Sequence, residues 1–146
     1  MAQQPVAPKT PRLVDTLAPD FTVTDIKGKT WHLEALRGKT VVLNFWALGC
    51  AGCITELPVL NSMADSIGRD TNFVFISLLL DSGAAASKAM KTYYMRYHQV
   101  ISAGKQHAQY HITCFPTHIL IDPRGIVRYN HCGVMSRRDF LKMMRS

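Results

Sequence analysis

The sequence predicts an α/β fold, a central mixed β-sheet flanked by helices with an N-terminal β-hairpin extension. Three observations carry that expectation. Val41 to Trp46 and Phe73 to Leu78 are β-branched and aromatic runs of the kind that form strands buried on both faces. Each is followed by apolar residues at helical spacing, so strand and helix alternate. Near the C-terminus, Asp122-Pro123-Arg124-Gly125 separates two short apolar runs and signals an antiparallel hairpin.

In chain order, residues 1–17 hold three prolines and no clear period, and are expected as a flexible lead-in to a domain spanning 18–146. Phe21 to Thr24 and Thr30 to Leu33 alternate around a turn containing Lys27-Gly28-Lys29, a second hairpin signal. Val41 to Trp46 is the expected central strand. Ile54, Leu57, Leu60, Met63 and Ala64 then recur at helical spacing up to Gly68, so Cys50 and Cys53 open a helix. A second helix is expected from Ala84 to Tyr97, with Met90, Tyr93, Tyr94 and Tyr97 facing the core. His118 to Ile121 and Ile126 to Tyr129 form the last hairpin, and a helix from Arg137 to Arg145 closes the chain.

At 146 residues and 47% hydrophobic, the chain has material for one well-packed domain. Its longest apolar stretch, Phe73 to Leu80, is interrupted by Ser77 and is far short of the roughly 20 residues needed for a spanning helix. The start has neither a basic segment nor an apolar run of a secretory signal, which predicts either a cytoplasmic protein or one whose signal has been removed. The net charge is +7, but the densest basic cluster, Arg137, Arg138, Lys142 and Arg145, alternates with apolar residues as a solvated helix face does. No basic and aromatic stripe points to nucleic acid.

The chemistry lies in Cys50-Ala51-Gly52-Cys53. Disulfide exchange needs one thiolate to attack and a second thiol near enough to resolve the mixed disulfide, and residues three apart in a first helical turn supply both. Unpaired N–H groups and the positive end of the helix dipole favour a thiolate at Cys50, whose pKa is expected to be depressed, making it the nucleophile. Cys53, one turn deeper, is the resolver. Glu56 follows on the same helical side, either as a proton relay for Cys53 or as a surface glutamate. A zinc site would want a second cysteine pair or a histidine pair, and Cys114 and Cys132, eighteen apart, do not provide one.

Phe45-Trp46-Ala47-Leu48-Gly49-Cys50-Ala51-Gly52-Cys53-Ile54-Thr55-Glu56-Leu57-Pro58 resembles the active-site signature of the thioredoxin superfamily, and more narrowly of its TlpA/ResA branch. That branch also carries an early Ala18-Pro19-Asp20-Phe21 and a late Tyr110-His111-Ile112-Thr113-Cys114-Phe115-Pro116-Thr117. The resemblance implies a thioredoxin-like fold in which Pro116 is a cis-proline facing the dithiol and Phe115 offers backbone to a substrate strand. With them, Trp46, Ala51 and Gly52 would line the substrate surface. It supports Glu56 as the acid near both thiols, because Asn44 stands where thioredoxin has a buried aspartate, and makes Pro58 a kink in the active-site helix.

The activity implied is that of a protein thiol-disulfide oxidoreductase without cofactor or metal. It would be a periplasmic or otherwise extracytoplasmic monomer, reducing disulfides in client proteins and recharged by a membrane-bound thiol electron donor. Gly49 replaces a common tryptophan, and Ala51-Gly52 lacks the usual proline; this dipeptide tunes the potential, so the direction stays open while the resemblance favours reduction. Two rivals share the fold. A thiol peroxidase would want threonine where Ala47 stands, and a copper-binding chaperone would space its cysteines one residue wider. Cys114 and Cys132 are expected as small buried hydrophobes, with Cys114 as a third redox partner the alternative. His111 and His118 are expected as packed side chains rather than metal ligands.

Overall fold

The computed structural model describes residues 13–145. Strands β1 (Thr22–Thr24) and β2 (Thr30–His32) pair antiparallel as the N-terminal hairpin, and a short turn of 3₁₀ helix over Leu33–Leu36 leads into β3 (Thr40–Trp46). Then come α1 (Ala51–Ile67), β4 (Phe73–Leu79), α2 (Gly83–Thr92), β5 (His98–Val100) and α3 (Gly104–Gln109). β6 (Thr117–Ile121), β7 (Val127–Cys132) and α4 (Arg137–Met144) complete the chain. The five-stranded sheet runs β5-β4-β3-β6-β7, with β3, β4 and β5 parallel and β6 and β7 antiparallel. This is a thioredoxin-like α/β fold with β3 at its centre. No helix among the described residues is long and apolar enough to cross a membrane.

Because successive strand residues face opposite ways, β3 feeds two cores. Leu43 and Phe45 pack with Ile76, Leu78, Ile119 and Tyr110 beneath the hairpin, whose Val23 and Trp31 close that side. Val42 on the other face packs with Phe75, Leu120, the α1 residues Leu57, Leu60 and Met63, and Phe140 of α4. Each such side chain, fully removed from water, contributes about 2 kcal/mol before entropy is charged against it. The β1–β2 hairpin is pinned by Asp25, which accepts from Lys27 N–H, Lys29 N–H and Trp31 Nε1–H at 2.9, 3.0 and 2.9 Å. Burial pushes the Asp25 carboxyl up, but these donors outweigh it and hold its pKa below the ordinary value.

Three expectations need correction. The expected lead-in reaches residue 17, yet Asp15 N–H donates to Val127 O, Val127 N–H to Thr16 O, and Leu13 packs on the core, so 13–17 belong to the packed domain. The rest of that expectation, 1–12, lies outside the described residues. The second helix stops at Thr92 instead of Tyr97. Asn61 of α1 is the cause: its Nδ2 donates to Tyr94 O and its Oδ1 accepts from Arg96 N–H, which draws 94–96 out of helical register and aligns 98–100 as β5. Tyr97 is buried as expected, whereas Tyr94 is 69% exposed. β5 and α3 carried too few residues to show in the sequence pattern.

Candidate active site

The dithiol sits where β3 hands over to α1. Leu48 N–H donates to Asp81 Oδ2 at 2.8 Å, and Leu80 N–H to Trp46 O at 2.9 Å, which ties the connecting loop to the end of β4. Gly49 lies at φ +81°, a backbone region that favours glycine, and this accounts for glycine where the resembling signature has tryptophan. Cys50 is the N-cap of α1, half-buried, with its Sγ accepting from Cys53 N–H at 3.2 Å. Its sulfur therefore faces the unpaired amides and the positive end of the helix dipole.

Cys53 is 2% exposed and packs with Trp46, Leu79 and Ala86. Both cysteines are free thiols. Burial, then the hydrogen bond with Cys50 and the nearby charges of Cys50 and Glu56, push the Cys53 thiol up to about 12. The two sulfurs are thus unequal in access.

Glu56 is not a surface glutamate; its side chain is fully buried. Its Oε2 lies within hydrogen-bond distance of His118 Nε2, at 2.9 Å, and accepts from Met135 N–H at 2.7 Å. His118, on β6, is likewise fully buried, with the Phe140 ring edge-on at 4.9 Å. His118 is a packed side chain as expected, and Glu56 is a partner that the sequence pattern does not show. Among the described residues, the one group of three possible metal ligands within reach of each other is the exposed Asp20, His32 and Glu34, which includes no cysteine and neither His111 nor His118. Pro58 lies inside α1, where its missing N–H costs Ile54 O a helical partner.

The Phe115–Pro116 peptide bond is cis. A Cβ on Gly52 would come within 2.9 Å of Val134 Cγ2 and 3.8 Å of Pro116 Cδ, so the start of α1 abuts both the proline loop and the loop after β7. Gly133 N–H donates to Pro116 O at 2.8 Å and joins those two loops. Phe115, half-buried, packs in the same cluster as Trp46, Cys50 and Cys53, and Ala51 is exposed. Beside Cys50 opens a groove of about 520 Å³, lined by Leu48, Ile54, Ala85, Lys88 and Tyr93.

Cys114 and Cys132 are not buried hydrophobes. They form a disulfide with Cα atoms 5.8 Å apart, Cys114 half-buried and Cys132 exposed. Strand register explains the pairing: Cys132 stands opposite Thr117, and Thr117 Oγ1 donates to Cys114 O at 2.6 Å, folding the chain before β6 back onto the end of β7.

The chain is similar to proteins of known redox chemistry. It is 26% identical over 84% of its length to the thioredoxin-like protein YneN of Bacillus subtilis, covering 73% of that protein. It is 30% identical over 94% of its length to the thiol-disulfide oxidoreductase ResA of Geobacillus kaustophilus, covering 80% of it. The crystal structure of a thiol:disulfide interchange protein of the thioredoxin family from Chlorobium tepidum superposes with a TM-score of 0.77 at 25% identity, covering 90% of this chain and 94% of that one. The AhpC/TSA family profile matches residues 14–130, and with four fifths of the sequence inside that match the chain belongs to the AhpC/TSA family, on its thioredoxin-like, thiol-disulfide oxidoreductase side.

Proposed function

We propose that this thiol-disulfide oxidoreductase reduces disulfides in client proteins, with Cys50 as nucleophile, Cys53 as resolver and Glu56 as the base for Cys53. The observation that carries the reading is the inequality of the two thiols: a half-exposed Cys50 Sγ at the mouth of α1 and a Cys53 buried one turn below it. A client disulfide docks at Cys50 over Ala51, Gly52 and Phe115 and the adjoining groove, whereas Trp46, 1% exposed, and the buried Pro116 support that surface from beneath instead of lining it as expected. The Cys50 thiolate attacks one client sulfur and expels the other as a thiolate. Cys53 gives its proton to Glu56 and attacks Cys50, freeing the second client thiol and leaving a Cys50–Cys53 disulfide. The client gains two electrons and the dithiol loses two. Recharging needs a reduced thiol donor, and we assign a membrane-bound one outside the cytoplasm, where client disulfides persist.

Turbidimetric insulin reduction in the presence of dithiothreitol tests the activity: precipitation should begin sooner with the protein than with dithiothreitol alone. Turnover of hydrogen peroxide without insulin reduction would instead assign a thiol peroxidase.

The resolver assignment carries a pH prediction. A thiol with its pKa near 12 is about one part in ten thousand thiolate at pH 8, and alkylation follows the thiolate. Iodoacetamide at pH 8 should modify Cys50 and spare Cys53, read by peptide mass; equal labelling of both would remove the distinction. The linkage has a definite sign. The folded state holds the Cys53 proton more tightly than the ordinary pKa of 9.0 allows, so that stabilisation is complete below about pH 9 and is lost as the pH rises toward 12.

A further inference from the structure

Beneath the dithiol lies a set of buried polar atoms larger than the exchange chemistry uses. Glu56 of α1 and His118 of β6, 62 residues apart in sequence, meet with both side chains fully excluded from water. The two carboxylate oxygens are unequal. Oε2 is occupied by two donors, His118 Nε2–H and Met135 N–H. Oε1 lies 2.8 Å from the same Nε2 as an ion-pair contact and has no hydrogen-bond partner among the described residues. A carboxylate offers only acceptors, so the nitrogen facing it must carry the hydrogen. His118 Nδ1 on the far side of the ring has no partner among the described residues either.

We propose that His118 is a positioning residue for the resolving step, holding the Glu56 carboxylate by Oε2 so that Oε1 is free to take the proton of Cys53. The inference rests on the reading of Cys53 and Glu56 given above and assigns what makes that glutamate competent. A carboxylate buried without donors protonates and can no longer accept. One backbone amide alone would leave it free to swing about its own side-chain axis, whereas two donors on one oxygen fix its orientation.

The surroundings leave His118 as the side-chain donor to that carboxylate. From α1 the facing titratable groups are Glu56 and Cys53. Tyr97, just before β5, feels the charge of both, and its buried hydroxyl has no hydrogen-bond partner among the described residues. From α4 comes the apolar Phe140 ring. On β3, Asn44 stands opposite His118 in register, and on β7 the half-buried His131 does. No other side chain among the described residues donates a hydrogen bond to Glu56.

In the step itself, Cys53 S–H passes its proton to Glu56 Oε1 and the Cys53 thiolate attacks Cys50 Sγ. The bond from Cys50 to the departing sulfur breaks, that sulfur leaves as a thiolate with the electron pair, and the Cys50–Cys53 bond forms. His118 keeps its Nε2–H throughout.

Stopped-flow mixing of dithiobis(nitrobenzoate) with protein reduced at Cys50 and Cys53, the Cys114–Cys132 bridge intact, separates the two thiols. The first thionitrobenzoate released reports attack by Cys50 and depends on reagent concentration; the second reports resolution by Cys53 and does not. His118→Leu should slow the second phase at least tenfold at pH 7 and move its pH profile to the alkaline side, with the first phase unchanged. His118→Gln, which can place an N–H donor near the same point, should stay within threefold of wild type. A folded His118→Leu with the wild-type second phase and profile overturns the inference. So does a His118→Gln as impaired as a folded His118→Leu, since the donor would then not be what matters. Should His118→Leu fail to fold, ring-nitrogen shifts of the wild type decide: a proton on Nε2 that responds to Glu56→Gln supports the inference, and a bare Nε2 overturns it. Glu56→Gln separates the two levels. If it slows the second phase and His118→Leu does not, only the role of His118 falls; if it leaves that phase untouched, the role of Glu56 falls as well.

Discussion

Cys50→Ser is expected to bring insulin reduction down to the rate of dithiothreitol alone, a loss of roughly three orders of magnitude or more in the protein's own contribution. The serine hydroxyl fits the same N-cap position, and its oxygen can accept from Cys53 N–H as the sulfur does, so α1 keeps its first turn. What is lost is the nucleophile, since an alkoxide is inaccessible at neutral pH and serine cannot form a disulfide. Cys53 cannot substitute, because it is 2% exposed and its thiol is pushed up to about 12. Cys53→Ser should also lose turnover, by a different route. Cys50 would still attack, and the client would remain attached as a mixed disulfide, visible as added mass that reductant removes. Full activity in Cys50→Ser would take the nucleophile away from this site; absence of any adduct in Cys53→Ser would take the resolver role from Cys53.

How much of this was legible in the sequence follows from the range over which each feature is encoded. The N-terminal hairpin, β3, the start of α1 and the β6–β7 hairpin were readable because turn residues and apolar periodicity are local signals. The cysteine pair was readable for the same reason, three residues apart on one helical turn. The end of α2 was not, because Asn61, more than thirty residues upstream, sets it through hydrogen bonds to 94–96. Glu56 could be placed on the right side of α1, but its burial depends on β6 supplying His118 and on Met135 supplying an amide. A histidine in a strand gives no sign of its partner 62 positions away. The Cys114–Cys132 bridge was missed because eighteen intervening residues say nothing about register; only the pairing of Cys132 with Thr117 brings the two sulfurs together.

That bridge carries the second large expected effect. Its sequence separation of 18 encloses the whole β6–β7 hairpin, so opening it restores to the unfolded chain the freedom of a loop of that length. In the chain-entropy account this is worth about 3 kcal/mol. A chain of this size has an unfolding entropy that converts such a loss to a fall of about 10 °C in Tm. The folded state should tolerate the change well, because Gly133 N–H still reaches Pro116 O, Thr117 Oγ1 still reaches Cys114 O, and β6–β7 pairing continues without the sulfurs. Cys114→Ser combined with Cys132→Ser should therefore unfold about 10 °C lower by circular dichroism, with a native spectrum before the transition. The wild type heated in excess dithiothreitol should show the same shift, since Cys132 is exposed and its sulfur is open to an attacking thiol. A double variant that melts within 2 °C of the oxidised wild type, on the order of half a kcal/mol, would mean the bridge constrains little that the hairpin had not already fixed.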